Sequence, residues 1–146
     1  MTQAPTLAFV ADDSALREIV LEGVRGFNRT LFASHPPGQD LAIAVCDPHS
    51  GKPVGGLCGR TNGGWLAIDL IFVPEVFRGL GLATELMAMA EEEARRRGCH
   101  SAWLDTLNPK ALKLYRRLGY EVFGELKDYP AGNSRFFLQK KLGPVG

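Results

Sequence analysis

The stretch Arg78-Gly79-Leu80-Gly81-Leu82-Ala83 decides how this sequence folds and what it can bind. It follows a long apolar segment, Trp65 to Val73, that is typical of a strand, and it opens a segment whose apolar residues recur at helical spacing. Two glycines at such a junction expose consecutive backbone N–H groups at the positive end of a helix, where phosphates bind. Arg78 can add a charge-assisted contact. The sequence therefore predicts a phosphate site at this strand–helix junction, which we call the glycine joint.

What the glycine joint lacks narrows the kind of phosphate it can bind. A Walker loop requires Gly-Lys-Ser/Thr, which this stretch does not contain. A dinucleotide fingerprint requires a third small residue where Thr84 stands, and it requires a chain long enough for a doubly wound sheet. A tight turn that merely ends a strand is the alternative for the segment taken alone.

Outward from the glycine joint, the pattern alternates strands and helices. The predicted strands are an edge strand at Thr6 to Ala11, then Leu41 to Cys46, Pro53 to Cys58, Trp65 to Val73, His100 to Thr106, Tyr120 to Leu126 and Ser134 to Leu142. The predicted helices run from Ser14 to near Gly26, for a turn or two at Phe27 to Phe32, from Leu82 to Arg97, and from Pro109 to Leu118. We therefore expect an α/β (α+β) fold with one domain over residues 1–146. Its sheet should be mixed, with six or seven strands flanked by helices.

Composition limits the class of protein. The chain has 146 residues, of which 45% are hydrophobic and 23% charged, the usual balance of a globular domain. Seventeen basic and sixteen acidic residues leave a net charge of +1, so we expect neither a nucleic-acid nor a membrane partner. No apolar run is long enough to span a bilayer, and the first residues lack the layout of a signal peptide. Cys46, Cys58 and Cys99 form neither a zinc pattern nor a disulfide framework, so we expect no metal and a cytoplasmic protein.

The motifs of this chain resemble those of one known family. Arg78-x-x-Gly81-x-Ala83 is similar to the motif Q/R-x-x-G-x-G/A of the GNAT N-acetyltransferase family. The segment Asn108 to Tyr120 resembles its downstream pattern N-x-x-A-x-x-x-Y-x-x-x-G-F/Y. The ending, Gly124-Glu125-Leu126-Lys127-Asp128-Tyr129-Pro130-x-Gly132 followed by Arg135-Phe136-Phe137-Leu138, resembles that of a subgroup of small bacterial members. The resemblance covers about residues 41–142. Two motifs in order, at proper spacing and in matching strand and helix context, are more specific than either alone.

The resemblance implies an acyl-CoA-dependent N-acyltransferase with acetyl-CoA as the donor. In the family, the fourth strand bulges and diverges from the fifth, which exposes a strand edge for the pantetheine arm. That edge corresponds here to Ile71 to Val73, and a backbone N–H at the bulge would stabilise the oxyanion formed as the amine attacks. The residues implied to contact the cofactor are Ile71, Phe72, Val73, Arg78, Gly79, Leu80, Gly81, Leu82, Ala83, Thr84, Asn108 and Tyr115.

The same resemblance implies catalytic roles. Tyr115 would protonate the departing thiolate as a general acid; its alternative role is that of a packing aromatic. Asn108 would bond the pantetheine arm, or act as a plain helix N-cap. The general base would be Asp69, which interrupts an apolar strand, or Asp105, which closes the next one, or an ordered water. Either aspartate could instead be a hydrogen-bonded residue at the margin of the sheet.

The acceptor is expected to be a primary amine of a small molecule or peptide. Phe27, Asn28, Trp65 and Tyr129 could wall its pocket, or they could be packing residues. The chain could also form a homodimer. The alternative function is a non-catalytic acyl-CoA-binding module that acts as a sensor or partner subunit. Such a module would keep the glycine joint but would have no reason to keep Tyr115.

Overall fold

The computed structural model describes residues 3–144. Within this range the helices are α1 (Ser14–Leu31), α2 (Leu82–Arg96) and α3 (Pro109–Arg117), and a 3-10 turn covers Glu75–Phe77. The strands are β1 (Gln39–Cys46), β2 (Pro53–Asn62), β3 (Trp65–Phe72), β4 (Ser101–Thr106), β5 (Glu121–Lys127) and β6 (Ser134–Lys141). None of the helices in the described range has the length and apolar character needed to cross a membrane. The chain divides into two compact units, residues 1–36 and residues 37–146.

The first unit differs from the sequence prediction in two places. Residues 6–11 form no strand, so the predicted edge strand at Thr6 to Ala11 is wrong: a strand needs a partner for its backbone groups, and apolar composition alone does not supply one. The predicted helix end near Gly26 is also wrong, because α1 continues through it and includes most of the separate turn predicted at Phe27 to Phe32. A glycine inside a helix costs only about 1 kcal/mol relative to alanine. Arg29 also donates a hydrogen bond to Glu22 across this point, at 2.8 Å.

The second unit is built on one six-stranded sheet with the order β1-β2-β3-β4-β6-β5. Neighbouring strands are antiparallel except β3 and β4, which are parallel and are connected through α2. The prediction of an α/β fold with a mixed sheet of at least six strands is therefore confirmed. β2 extends to Asn62, beyond its predicted end at Cys58, because Gly63 and Gly64 alone form the turn, both with positive φ.

A single apolar core holds this sheet to its helices. Leu66, Leu104 and Leu138 come from three neighbouring strands and are almost completely buried. From α2, the residues that face the core recur at helical spacing: Leu86, Met87, Ala90, Glu91 and Ala94. Burial of each large aliphatic side chain stabilises the fold by about 1.5–3 kcal/mol, which is enough to fix the sheet at its centre. The ends of the strands bury fewer of these side chains, so packing leaves them able to diverge.

Candidate active site

The parallel strands β3 and β4 pair over only part of their length. Their register runs from Trp65↔Ser101 to Ile68↔Leu104 and stops there. The rest of β3, Asp69 to Phe72, has no partner on β4, although Leu70 to Phe72 still pair with β2 on the other side. We call Asp69 to Phe72 the open edge. Because no strand forms at residues 6–11, β3 and β4 are the predicted fourth and fifth strands, and their predicted divergence is confirmed.

A β-bulge lies where the divergence begins. Cys58 of β2 pairs with Leu70 and Gly59 pairs with Ile68, which leaves Asp69 as an extra residue on β3. A bulge bends its strand and increases the local twist, so it turns β3 away from β4 at this point. The bulge was expected at Ile71 to Val73 and lies instead at Asp69, because its position depends on the register with β2.

The glycine joint has the backbone that close approach to a phosphate requires. Gly79 and Gly81 have φ values of 82° and 77°, a left-handed conformation that residues with a Cβ rarely adopt. Among residues 3–144, no atom other than those of the glycine and its two chain neighbours lies within 4 Å of the position that a Cβ would take on either residue, so the space beside both is open. Gly81 is the N-cap of α2 and its position carries no side-chain cap, which leaves the first N–H groups of the helix for an anion. Arg78 donates from Nε to the Val73 carbonyl at 3.1 Å and so ties the joint to the end of β3.

Tyr115 occupies the buried side of α3. Only 5% of it is exposed, and its ring meets the ring of Tyr120 edge to face with centroids 6.2 Å apart. Burial, and then the negative charge of Asp105, raise the pKa of the Tyr115 phenol above its ordinary value. The phenol is therefore protonated at neutral pH. Its hydroxyl has no hydrogen bond to another residue in the range 3–144, so no partner in that range holds it.

A short corner connects β4 to α3. Asn108 is the N-cap of α3: its Oδ1 accepts from the Lys110 N–H at 2.9 Å, and Pro109 occupies the first turn. The Asn108 N–H donates to Thr106 Oγ1 at 3.0 Å. These two bonds fix the direction in which α3 leaves the sheet. Asn108 thus has the N-cap geometry given as one alternative above.

The two candidate bases have different surroundings. Asp105 is half-buried at the end of β4. Its Oδ1 accepts from Arg135 Nε at 2.9 Å and forms an ion pair with Arg135 Nη2 at 2.8 Å. Asp69 is exposed on the bulge and has no hydrogen bond or ion pair to another residue of the described chain. The charge of Asp105 acts on Tyr115, so these two residues lie near each other at the divergence.

The proposed acceptor residues lie in different places. Tyr129 follows β5, and its hydroxyl accepts from Arg135 Nη1 at 3.0 Å, which joins it to Asp105. Trp65 begins β3, at the end opposite the divergence, where its ring meets that of His100 with centroids 5.7 Å apart. Phe27 and Asn28 lie on α1, in the first unit. The sequence prediction gave Arg135 no role, because its place beside Asp105 follows only from the pairing of β4 with β6.

Comparison with known proteins relates this chain to acetyltransferases. The acetyltransferase (GNAT) family model matches residues 14–120. An acetyltransferase of Agrobacterium fabrum is 52% identical over 136 residues, which are 93% of this chain and 97% of that relative. The blasticidin-S acetyltransferase of Streptomyces morookaense is 32% identical over 143 residues, 97% of this chain and 100% of the relative. The crystal structure of a protein from Agrobacterium tumefaciens that is described as an acetyltransferase superposes on this chain with a TM-score of 0.83. The two sequences are 40% identical, and the match covers 95% of this chain and 99% of that one.

A mixed sheet with a diverging central pair, followed by a glycine joint, is thus the architecture of an acetyltransferase. The chain belongs to the GNAT acetyltransferase family. It is an acyl-CoA-dependent N-acetyltransferase, and the alternative of a non-catalytic binding module is not favoured. Enzymes of this family use acetyl-CoA as the acyl donor.

Proposed function

We propose that acetyl transfer takes place where β3 and β4 diverge, with Tyr115 as the general acid and Asp105 as the group that receives the proton of the amine. One observation carries the proposal: the β3–β4 ladder stops at Ile68 and Leu104, beside a buried tyrosine whose hydroxyl has no partner in the described chain. An unpaired strand edge and a protonated phenol are the two groups that a thioester and its leaving sulfur need.

The residues at the divergence fit acetyl-CoA, which supplies the thioester carbonyl that an amine attacks. The N–H groups of the glycine joint would hold the pyrophosphate, and Arg78 would add charge there. The open edge, with Ile71 and Phe72, would pair with the amides of the pantetheine arm. Leu80, Leu82, Ala83 and Thr84 complete the joint and the first turn of α2, and Val73 and Asn108 border the site.

The proton balance assigns a role to each polar group. The amine nitrogen forms a bond to the carbonyl carbon as the carbon–sulfur bond breaks. The proton lost from nitrogen passes to Asp105, directly or through a water, and the departing sulfur takes the phenolic proton of Tyr115. We favour Asp105 over Asp69 because its carboxylate is half-buried, is oriented by Arg135 and acts on Tyr115, whereas Asp69 is exposed.

The acceptor we propose is a primary amine of a small molecule or peptide. The relative from Streptomyces morookaense is named for acetylating blasticidin S and matches this chain over 97% of its length. Blasticidin S therefore belongs in a test panel together with polyamines, amino sugars and short peptides. Tyr129, the candidate acceptor residue that the structure joins to Asp105, would lie on the acceptor side of the centre.

Turnover tests this function directly. Purified protein with acetyl-CoA and each amine of the panel should release free thiol at a rate that saturates with one class of amine. Tight acetyl-CoA binding without thiol release for any amine would overturn the proposal in favour of the binding module.

We further propose a cytoplasmic location and a single folded domain over residues 1–146. Light scattering tests whether the chain forms a homodimer.

A further inference from the structure

We propose that Arg135 is a positioning residue for this reaction: its guanidinium holds the Asp105 carboxylate at the divergence and holds Tyr129 beside it. The proposal rests on the function proposed above and deepens it, because it gives Arg135, to which the sequence analysis assigned no role, a part in the acceptor half of the reaction. The two contacts come from one side chain, so the carboxylate and the loop carrying Tyr129 would be placed together.

The register of the sheet brings Arg135 to Asp105. Phe137 of β6 lies directly opposite Asp105 on β4, and Arg135 precedes Phe137 by two residues, so it stands on the same face of the sheet. Nε donates to Oδ1 at 2.9 Å, and Nη2 of the same guanidinium lies 2.8 Å from that oxygen in an ion pair. The other carboxylate oxygen, Oδ2, has no hydrogen-bond partner within residues 3–144. The arginine thus orients the carboxylate and leaves one oxygen for a ligand.

The same guanidinium holds Tyr129. Arg135 Nη1 donates to the Tyr129 hydroxyl at 3.0 Å, and Cζ lies 5.2 Å from the centroid of the Tyr129 ring. On β6, Phe137 offers a second ring, with its centroid 5.4 Å from Cζ. Cation–π contacts of this kind restrict a guanidinium further. The planar fork of arginine can serve a carboxylate and a hydroxyl at once, which the single ammonium of lysine does less well.

The loop that carries Tyr129 is closed by its own hydrogen bonds. The Tyr129 N–H donates to the Asn133 carbonyl at 3.1 Å, and the Asn133 N–H donates to the Pro130 carbonyl at 2.9 Å. The Gly132 N–H donates to Asp128 Oδ1 at 3.3 Å. The backbone of the loop is therefore formed without Arg135, and the arginine fixes mainly the tyrosine side chain.

The charges around Asp105 make the ion pair consequential. Arg135 on β6 donates to Asp105, the charge of Asp105 acts on Tyr115 of α3, and Tyr129 reaches Asp105 through Arg135. About a third or less of each partner of the pair is exposed, 30% for the arginine side chain and 26% for the aspartate. A half-buried ion pair is screened less by water than a surface one. The hydrogen bond to Asp105, and then the charge of Asp105, raise the pKa of Arg135, so the cation is present at every pH of interest.

The experiment compares Arg135→Gln, Arg135→Lys and Tyr129→Phe with the wild type, using an amine that the panel identifies as an acceptor. Arg135→Gln should lower kcat/KM for the amine by about 10- to 100-fold, because small misplacements of reacting groups have effects of this size. The KM for acetyl-CoA and the calorimetric affinity for it should change less than twofold. Arg135→Lys should restore part of the loss, and Tyr129→Phe should raise the KM for the amine with a smaller effect on kcat.

Arg60→Gln is the matched control. Arg60 forms the same kind of cross-strand pair with Asp40, at 3.0 Å, but between β2 and β1, on the other side of β3 from β4 and β6. It should leave the kinetic constants of both substrates unchanged. If Arg135→Gln keeps its kcat/KM for the amine, or if it loses acetyl-CoA affinity in equal measure, Arg135 is a structural residue and the proposal is wrong. If Arg135→Gln does not fold, the lysine and phenylalanine variants decide by the same criteria. A wild type without turnover removes this proposal together with the proposed function.

Discussion

Glu91 on α2 accepts a hydrogen bond from the Tyr120 hydroxyl at 2.9 Å, inside the core and just beyond the ring of Tyr115. The other oxygen of Glu91 accepts from Lys140 on β6 at 2.7 Å. Only 6% of the glutamate side chain is exposed, so this carboxylate is satisfied by protein groups. The buried Glu91 thus connects α2, β6 and Tyr120, which lies between α3 and β5.

We expect Glu91→Ala to lower the free energy of unfolding by about 3 kcal/mol, because it leaves the Lys140 ammonium and the Tyr120 hydroxyl without their partner. Urea denaturation checks this, provided that the dependence of the free energy of unfolding on urea concentration is the same for the variant and the wild type. Glu93→Ala is the control, since Glu93 pairs with Arg96 and Arg97 at the surface of the same helix and should cost much less. Equal losses for the two variants would mean that the buried cluster adds little to stability.

Tyr115→Phe should lower kcat by a factor of roughly 10²–10⁴, the usual effect of losing a general acid. Phenylalanine keeps the buried ring, and the hydroxyl it removes has no hydrogen bond to the described residues, so Tm and acetyl-CoA affinity should stay near those of the wild type. Steady-state thiol release, calorimetry and thermal melting measure the three quantities. Turnover within a few-fold of the wild type would make Tyr115 a packing residue and the thiolate a group that leaves unaided.

Asp105→Asn should reduce kcat at saturating acetyl-CoA and amine far more than Asp69→Asn does. Asparagine keeps the size of the side chain and can still accept from Arg135, but it cannot take up a proton from the amine. Circular dichroism should show both variants folded. A larger loss for Asp69→Asn would move the base to the bulge on β3, and two small losses would assign proton removal to a water.

Gly81→Val and Gly98→Val form a matched pair for the glycine joint. Both glycines have positive φ, 77° and 86°, and neither has an atom within 4 Å of an added Cβ, so both substitutions strain the backbone without a clash. They lie at opposite ends of α2. Only Gly81→Val should weaken acetyl-CoA binding, by about tenfold or more, because only there would the new side chain stand between the backbone and the proposed position of the pyrophosphate. Calorimetry that gives equal affinities for the two folded variants would refute a phosphate role for the joint.

Alkaline pH should destabilise the protein through its buried tyrosines. Burial, and then the charge and hydrogen bond of Glu91, raise the pKa of Tyr120, and burial raises that of Tyr115. In the unfolded chain both phenols titrate near pH ~10. The folded state therefore binds more protons above that pH, and stability falls as pH rises beyond it. The urea midpoint should decline from about pH 8 to about pH 11, a range that spans the tyrosine pKa of the unfolded chain. The midpoint of Tyr120→Phe should decline less steeply over the same range. A flat wild-type profile would contradict this.

Much of the fold could be predicted because its signals are local. Asn108 and Pro109 start α3 through contacts within a few residues, and Gly81 opens α2 in the same way. The bulge at Asp69 was misplaced because it depends on how β3 pairs with β2, which no local pattern records. Apolar residues at Thr6 to Ala11 indicated a strand, but whether a partner strand accepts it is again a property of the whole sheet.

The candidate site divides in the same way. Asp105 and the glycine joint could be named from the sequence because they stand at the ends of predicted elements, and Tyr115 because its segment resembles a motif of the GNAT family. Arg135 is 30 residues from Asp105 in the chain, and only the β4–β6 register makes them neighbours. Trp65 and Tyr129 were equivalent candidates for the acceptor pocket in the sequence, yet the direction of β3 places Trp65 at the end of that strand opposite the divergence. Distances along the chain do not contain this information.

The corner at Asn108 has a consequence for how such an enzyme could diversify. Its two hydrogen bonds, to Thr106 and from Lys110, join the end of β4 rigidly to the start of α3, so Asp105 and Tyr115 belong to one stiff piece of backbone. The loop at Tyr129 is separately closed and belongs to a different hairpin. Loop grafting between Lys127 and Ser134 should therefore change the proposed acceptor side of the centre, while the spacing between Asp105 and Tyr115, the proposed base and acid, stays unchanged.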